Sequence, residues 1–161
     1  MTKVLFVCMG NICRSPAAEG VLKSLIQKHG LQDILYCESA GTSGYHAGSP
    51  ADERMRQHAA RRGHQLESLA QQFCAEHFEK FDFIITMDHA NYRNVLRLDP
   101  SEQFKSKVIP MSHLCSEFSI TEVPDPYYGG HDGFEEVLDI VEDGCRGLLD
   151  RLNLANANKK N

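Results

Sequence analysis

Cys8 and Arg14 enclose five residues, Met9-Gly10-Asn11-Ile12-Cys13, and Ser15-Pro16 follow at once. Cysteine supplies a nucleophilic sulfur, and arginine supplies a planar fork that grips two oxygens of a tetrahedral oxyanion and stays charged. Gly10 accepts the left-handed backbone region freely and Asn11 tolerates it, so successive amides of this loop can converge on one anion. Ser15 as an N-cap and Pro16 in a first turn predict a helix starting here, with unpaired N–H groups and a positive dipole end facing the loop. Such a turn is an anion site, and the same field favours a thiolate over a thiol. A nucleophile beneath a phosphate cradle is the equipment for phosphoryl transfer through a phosphocysteine. A Cys that ends a buried strand is, taken alone, a small apolar residue. It is the conjunction of all these residues in one turn that points to chemistry.

A second group lies far downstream. Asp125 sits between Pro124 and Pro126, and flanking prolines hold a chain extended and stiff. A carboxyl group fixed in this way can hand a proton to a departing phenolate, although Asp-Pro alone also reads as a turn. Tyr127 and Tyr128 precede Gly129-Gly130, which places two rings in a loop where they suit the walls of a slot for a phenyl group.

The elements that must position these groups alternate. Apolar runs predict strands over 4–7, 34–38, 81–87 and 107–110, and helical spacing predicts helices over 16–29, from Ser49-Pro50 to near Gly63, from Asp88 to about 98, and over 134–152. This order implies an α/β fold with a small four-stranded parallel sheet, doubly wound in the flavodoxin-like manner, with helices on both faces. Ligands of such sheets bind beyond the strand C-terminal ends, where the strand order reverses. Cys8, Tyr45 and Asp88 all follow apolar strands, so they should share that edge. The second helix, with Asp52, Glu53, Arg54, Arg56, Arg61 and Arg62, reads as a solvated face without function.

At 161 residues the chain reads as a single domain, residues 1–161, with its last few residues disordered. A formal charge of −5 argues against a nucleic-acid partner, yet an acidic chain can still hold a phosphate, because the proposed cradle uses local amides and one arginine rather than the global field. No apolar run approaches membrane-spanning length, and the start lacks the zones of a signal peptide, which implies a cytoplasmic protein. The six cysteines then read as free thiols, with Cys37, Cys74, Cys115 and Cys145 as packing residues. Cys8 and Cys13 have no matching Cys or His pair for zinc, so neither a metal nor another cofactor is expected. Their closeness in a curled loop would let Cys13 capture an oxidised Cys8 as a disulfide.

The string Val7-Cys8-Met9-Gly10-Asn11-Ile12-Cys13-Arg14-Ser15-Pro16 resembles the signature of the low-molecular-weight protein tyrosine phosphatases, and the resemblance covers nearly the whole chain. Asp125-Pro126-Tyr127-Tyr128-Gly129-Gly130 is similar to that family's general-acid loop, and a cysteine first with an acid late is the family's order. The resemblance implies hydrolysis of phosphotyrosine and other aryl phosphates, with Cys8 as nucleophile and Asp125 as acid and then base. Met9, Gly10, Asn11, Ile12, Cys13, Arg14 and Ser15 would hold the phosphate. Tyr45, His46, Tyr127 and Tyr128 would form the substrate rim, Asn11 and Ser39 would keep the loop in shape, and Ser15 would donate to Cys8. Phosphotyrosine-containing proteins, including a tyrosine autokinase, are the implied partners of a monomer. One departure stands out: Ser68 occupies the place where many members carry a histidine that supports Asn11. The alternative is an arsenate reductase on the same fold, whose relay wants further cysteines near the end of the third strand, where this chain has Met87-Asp88. A non-catalytic phosphate-binding or thiol-sensing module would need neither Cys8 nor Asp125.

Overall fold

The computed structural model describes residues 1–154, leaving the side chains of Tyr128 and His131 outside the description. The C-terminal residues expected to be disordered lie outside the described residues.

Four parallel strands, β1 (Thr2–Cys8), β2 (Leu35–Gly41), β3 (Phe83–Thr86) and β4 (Val108–Pro110), lie in the order β2-β1-β3-β4. The helices are α1 (Arg14–His29), α2 (Glu53–Arg61), α3 (Glu76–Lys80), α4 (His89–Leu96) and α5 (His131–Arg151). The unbroken apolar run of β1 is explained by burial on both faces. Val4, Phe6 and Cys8 join a layer with Ala17, Val21 and Leu22 of α1, Met55 of α2, and Val137, Val141 and Cys145 of α5. Leu5 and Val7, pointing the other way, join Phe78 of α3 and Val95 of α4. Phe6 is fully buried at the centre, and truncating such a ring to alanine costs about 3–5 kcal/mol. Arg62, just past α2, holds that helix to α5 through Glu135, Asp139 at 2.9 Å and Glu142 at 3.2 Å. No helix among the described residues is long and apolar enough to cross a membrane.

The four-stranded doubly wound sheet agrees with the sequence pattern, while several element boundaries differ for local reasons. Helix α1 starts at Arg14 because the Cys13 carbonyl already accepts from Ala17 N–H at 3.1 Å, so Ser15 lies inside the helix and is not its cap. Pro50 is engaged in an antiparallel bridge with Leu69, so α2 cannot begin at Ser49-Pro50 and begins after Asp52 instead. The five residues of α3 are too few to show a helical period. The polar first turn of α5 hides its start at His131 ahead of Phe134.

The chain leaves β1 towards β2 on one side and pairs β1 with β3 on the other, so the strand order reverses at β1. Cys8 pairs with Gly41 and Val7 with Thr86 at the C-terminal edge. The loops after β1 and β3 diverge there and leave a crevice.

Candidate active site

The loop from Cys8 to Ser15 closes on its own first residue. Asn11 N–H donates to Cys8 Sγ at 3.2 Å, and Ser15 Oγ lies 3.0 Å from the same sulfur. Asn11 adopts φ 57°, the left-handed conformation anticipated from its residue type, whereas Gly10 is not among the positive-φ residues. The Asn11 side chain fixes this shape by accepting from Gln71 N–H at 2.9 Å and donating to Ser15 Oγ at 2.8 Å and Ser39 Oγ at 2.9 Å. Ser39 in turn donates to Glu19 Oε1 at 2.6 Å, and Lys23 Nζ meets the other oxygen of Glu19 at 2.5 Å.

The proton directions at the Asn11 side chain are determined. The Gln71 amide can only donate, which assigns the Asn11 oxygen; its NH₂ group must then donate to both serines, and the Ser15 hydroxyl has Cys8 Sγ at 3.0 Å and Ala40 O at 3.4 Å within its reach. Gly41, at the end of β2, makes room for the loop, since a Cβ there would sit 2.7 Å from Met9 O. The Cys13 side chain makes no capping bond at the start of α1, and the N–H groups of a first turn are the ones an anion can claim.

Arg14 is 3% exposed and spans the crevice. Nη1 donates to Asp88 Oδ2 at 2.7 Å and to Val123 O at 3.1 Å, and Nη2 lies 3.6 Å from Asp125 Oδ2. Asp88 is itself held as the N-cap of α4, accepting from Asn91 N–H at 2.8 Å. The guanidinium therefore points along a direction set by two elements, and Asp88, which follows β3, does share the edge with Cys8. Val123 N–H donates to Met87 O at 2.8 Å and ties the segment leading to Asp125 to the end of β3.

The cleft is lined below by Cys8, Met9, Gly10, Ile12, Cys13 and Arg14, and above by His46, Asp125 and Tyr127. The His46 ring rests on Gly10, where an added Cβ would come within 3.2 Å of Cδ2. Tyr45 stands 87% exposed, edge-on to His46 at 4.8 Å, and does not line the cleft. The Tyr128 side chain lies outside the described residues. Burial pushes the Cys13 thiol up, with Asp52, Cys8 and Asp125 adding to the effect, so Cys13 is held protonated.

Three features of the site escape the sequence reading. Asp88 is seen there as an edge residue without a role. Glu19 and Arg54 are not singled out at all, the latter because it belongs to a helix that looks like a solvated face. Signals do exist: Glu19 is a lone carboxylate among Ala17, Ala18 and Val21, and Asp52 is an N-cap type that would place Arg54 in the first turn of the helix.

A doubly wound fold that sinks a thiol beneath an anion-binding turn at its switch point defines a cysteine-centred, phosphate-handling class of α/β protein. Residues 3–159 match the family model described as low molecular weight phosphotyrosine protein phosphatase. A putative low molecular weight protein-tyrosine-phosphatase from Synechocystis is 49% identical over 150 residues, which cover 93% of this chain and 96% of that one. The human low molecular weight phosphotyrosine protein phosphatase is 37% identical over 150 residues, covering 92% and 94%. A crystal structure of a protein tyrosine phosphatase from Entamoeba histolytica, with Hepes in its active site, superposes with a TM-score of 0.92 at 48% identity and covers 95% of this chain and 97% of that one. The chain belongs to the low molecular weight phosphotyrosine protein phosphatase family.

Proposed function

We propose that this chain carries out its family's reaction, the hydrolysis of phosphotyrosine in proteins, through Cys8, Arg14 and Asp125. Cys8 Sγ attacks phosphorus, the bond from phosphorus to the tyrosyl oxygen breaks, and Asp125 gives that oxygen a proton. Arg14 and the N–H groups of Met9 to Ser15 hold the phosphoryl oxygens as charge builds on them. Water then attacks the phosphocysteine, Asp125 takes its proton, and inorganic phosphate leaves with Cys8 restored. The observation that carries the reading is the convergence of Cys8, Arg14 and Asp125 on one cleft, with Arg14 Nη2 3.6 Å from the carboxylate.

His46 and Tyr127 flank the entrance to this cleft and suit the sides of a phenyl ring, with Tyr45 and Tyr128 placed around them by resemblance. Cys13, beside Cys8 in the wall, is the partner for an oxidised nucleophile: the sulfenic acid and the Cys13 thiol give a disulfide and water. The family resemblance further supports a single-domain cytoplasmic monomer, with a tyrosine autokinase among its substrates. Met87 and Asp88 stand where an arsenate-reducing relay would want cysteines, and no feature of the site favours that second reading.

The deciding experiment compares matched phosphotyrosine and phosphoserine peptides, with arsenate reduction followed in parallel. The expected result is a kcat/KM on phosphotyrosine at least about 10²-fold higher, since the alkoxide of serine is a far poorer leaving group, no arsenate reduction, and no turnover by Cys8→Ser. Equal rates on the two peptides, or hydrolysis by Cys8→Ser, would reject the proposal.

A further inference from the structure

The turn that carries Asp125 is closed by local bonds, from Tyr127 N–H to Asp125 Oδ1 and from Gly129 N–H to Pro126 O, and Arg54 touches it from the side. Helix α2 is attached to the phosphate loop at its N-cap, for Asp52 N–H donates to Ile12 O at 2.8 Å. The Asp52 carboxylate accepts from Arg54 N–H at 2.9 Å and also receives the guanidinium as a fork, Nε at 3.1 Å and Nη2 at 3.0 Å. Burial pushes this carboxyl up, but the bonds from Arg54 prevail and hold it below the usual range.

The same guanidinium lies over two rings. Its carbon lies 4.9 Å from the Phe134 centroid and 5.5 Å from the Tyr127 centroid, and Nη2 reaches Tyr127 O at 3.4 Å. Tyr127 N–H donates to Asp125 Oδ1 at 3.0 Å. The two ends of residue 127 thus do different things: its N–H orients the acid, and its carbonyl and ring are held by Arg54. A continuous path leads from the floor of the cup at Ile12 through Asp52 and Arg54 to Tyr127 and Asp125.

We infer that Arg54 is a positioning residue that sets the height and angle of Asp125 over Cys8, an inference that rests on Asp125 being the acid. The helix face that carries Arg54 reads as solvated from its run of charges, and the side chain is 45% exposed, yet its planar head is committed to Asp52, Phe134 and Tyr127. Lysine would keep the charge but offers neither the fork nor the plane.

Misplacing a reacting group by about 1 Å can cost up to about 10²-fold in rate. The cost falls only on the step that needs the proton. It should therefore appear in kcat/KM, which covers events up to departure of the leaving group, and should grow as that group becomes more basic.

The test uses Arg54→Ala and Arg54→Lys, each alone and combined with Asp125→Asn, on phenyl phosphate and on 2,4-dinitrophenyl phosphate, whose phenolate leaves without a proton. Arg54→Ala should lower kcat/KM about tenfold on the phenyl ester and less than about twofold on the activated one. In the Asp125→Asn background it should add less than about twofold on either ester, because the group being positioned is gone. Hydrogen exchange at the Tyr127 and Gly129 amides should quicken in Arg54→Ala. An equal loss on both esters, a full loss retained without Asp125, or unchanged exchange would overturn the inference. If Asp125→Asn itself treats the two esters alike, the acid reading falls, and the exchange rates still decide whether Arg54 holds the turn. Should Arg54→Ala not fold, Arg54→Lys carries the same comparison.

Discussion

The two loops that meet in the cleft are held by different means. Residues 8–15 are closed by bonds within their own stretch, from Asn11 to Cys8 and from Asn11 to Ser15, and then bolted to β2 and α1 through Ser39 and Glu19. Almost every polar group in that network is buried, so a distortion at one point leaves an unsatisfied donor or acceptor at another. The Asp125 turn has short-range bonds from Tyr127 N–H to Asp125 and from Gly129 N–H to Pro126 O, and takes its position from Met87, Arg14 and Arg54. One loop is a rigid receptor whose shape is set before substrate arrives. The other is a lever resting on it, suited to work that changes sign between donating and accepting a proton.

If this contrast is right, damage to the cup should be indifferent to the leaving group and damage to the lever should not. The largest effect is expected for Arg14→Lys. The ammonium cannot reproduce the fork to phosphate, and Asp88 and Val123 O lose the donor they share. We expect kcat/KM to fall by at least about 10³ on activated and unactivated aryl phosphates alike; a fall of less than tenfold would show that the loop amides suffice. Next comes Asp125→Asn, expected to cost about 10² on phenyl phosphate and little on 2,4-dinitrophenyl phosphate. A flat dependence on leaving group would erase the distinction between the loops.

The same contrast decides what could be read from the sequence. The cup was legible because it is local: eight consecutive residues carry nucleophile, turn, cation and helix start, and only the donor directions needed coordinates. The sheet was legible too, since β1 is apolar without interruption and the strands alternate with helices. The lever was legible in its chemistry, as Asp125 between two prolines, but not in its support. Arg54 lies 71 residues before it on a face that looks solvated, and nothing in residues 49–63 alone says that a ring will arrive from residue 127. Ser15 has the residue type of a cap and lies inside α1 for a related reason: propensity identifies a hydroxyl near a helix start without saying that Asn11 Nδ2 will claim it. Tyr45 was grouped with the rim through its loop, yet within that loop it is the His46 ring that faces the cleft.

A smaller effect should come from Ser39→Ala, which breaks the link between the cup and the buried Glu19 without touching the anion site. The Asn11 NH₂ group loses one acceptor and Glu19 loses its 2.6 Å donor, keeping Lys23. An unsatisfied buried polar group costs about 1–3 kcal/mol. For a chain of this size each kcal/mol lowers Tm by about 2–4 °C. Thermal unfolding should therefore show a drop of several degrees, while kcat/KM falls equally on both aryl esters. An effect on phenyl phosphate alone would mean that the network also serves the lever.

The smallest effect is expected where the sequence departs from its family. By family resemblance a histidine at position 68 would join the network that supports Asn11, and Ser68 stands there instead. In the structure the Asn11 oxygen already accepts from Gln71 N–H at 2.9 Å, and the Gln71 side chain adds bonds to Glu38 at 3.1 Å and Ser39 O at 3.0 Å, which stiffen the irregular segment that follows Ser68. A backbone donor cannot be lost by rotation, so the support this chain uses is at least as well fixed as an imidazole would be. Installing the residue, Ser68→His, should change kcat/KM by less than about threefold and Tm by no more than about 2 °C, because a second donor to a satisfied acceptor adds little. A rise of tenfold in kcat/KM, or of more than about 5 °C in Tm, would show that the cup had been incompletely supported and that its rigidity was overestimated.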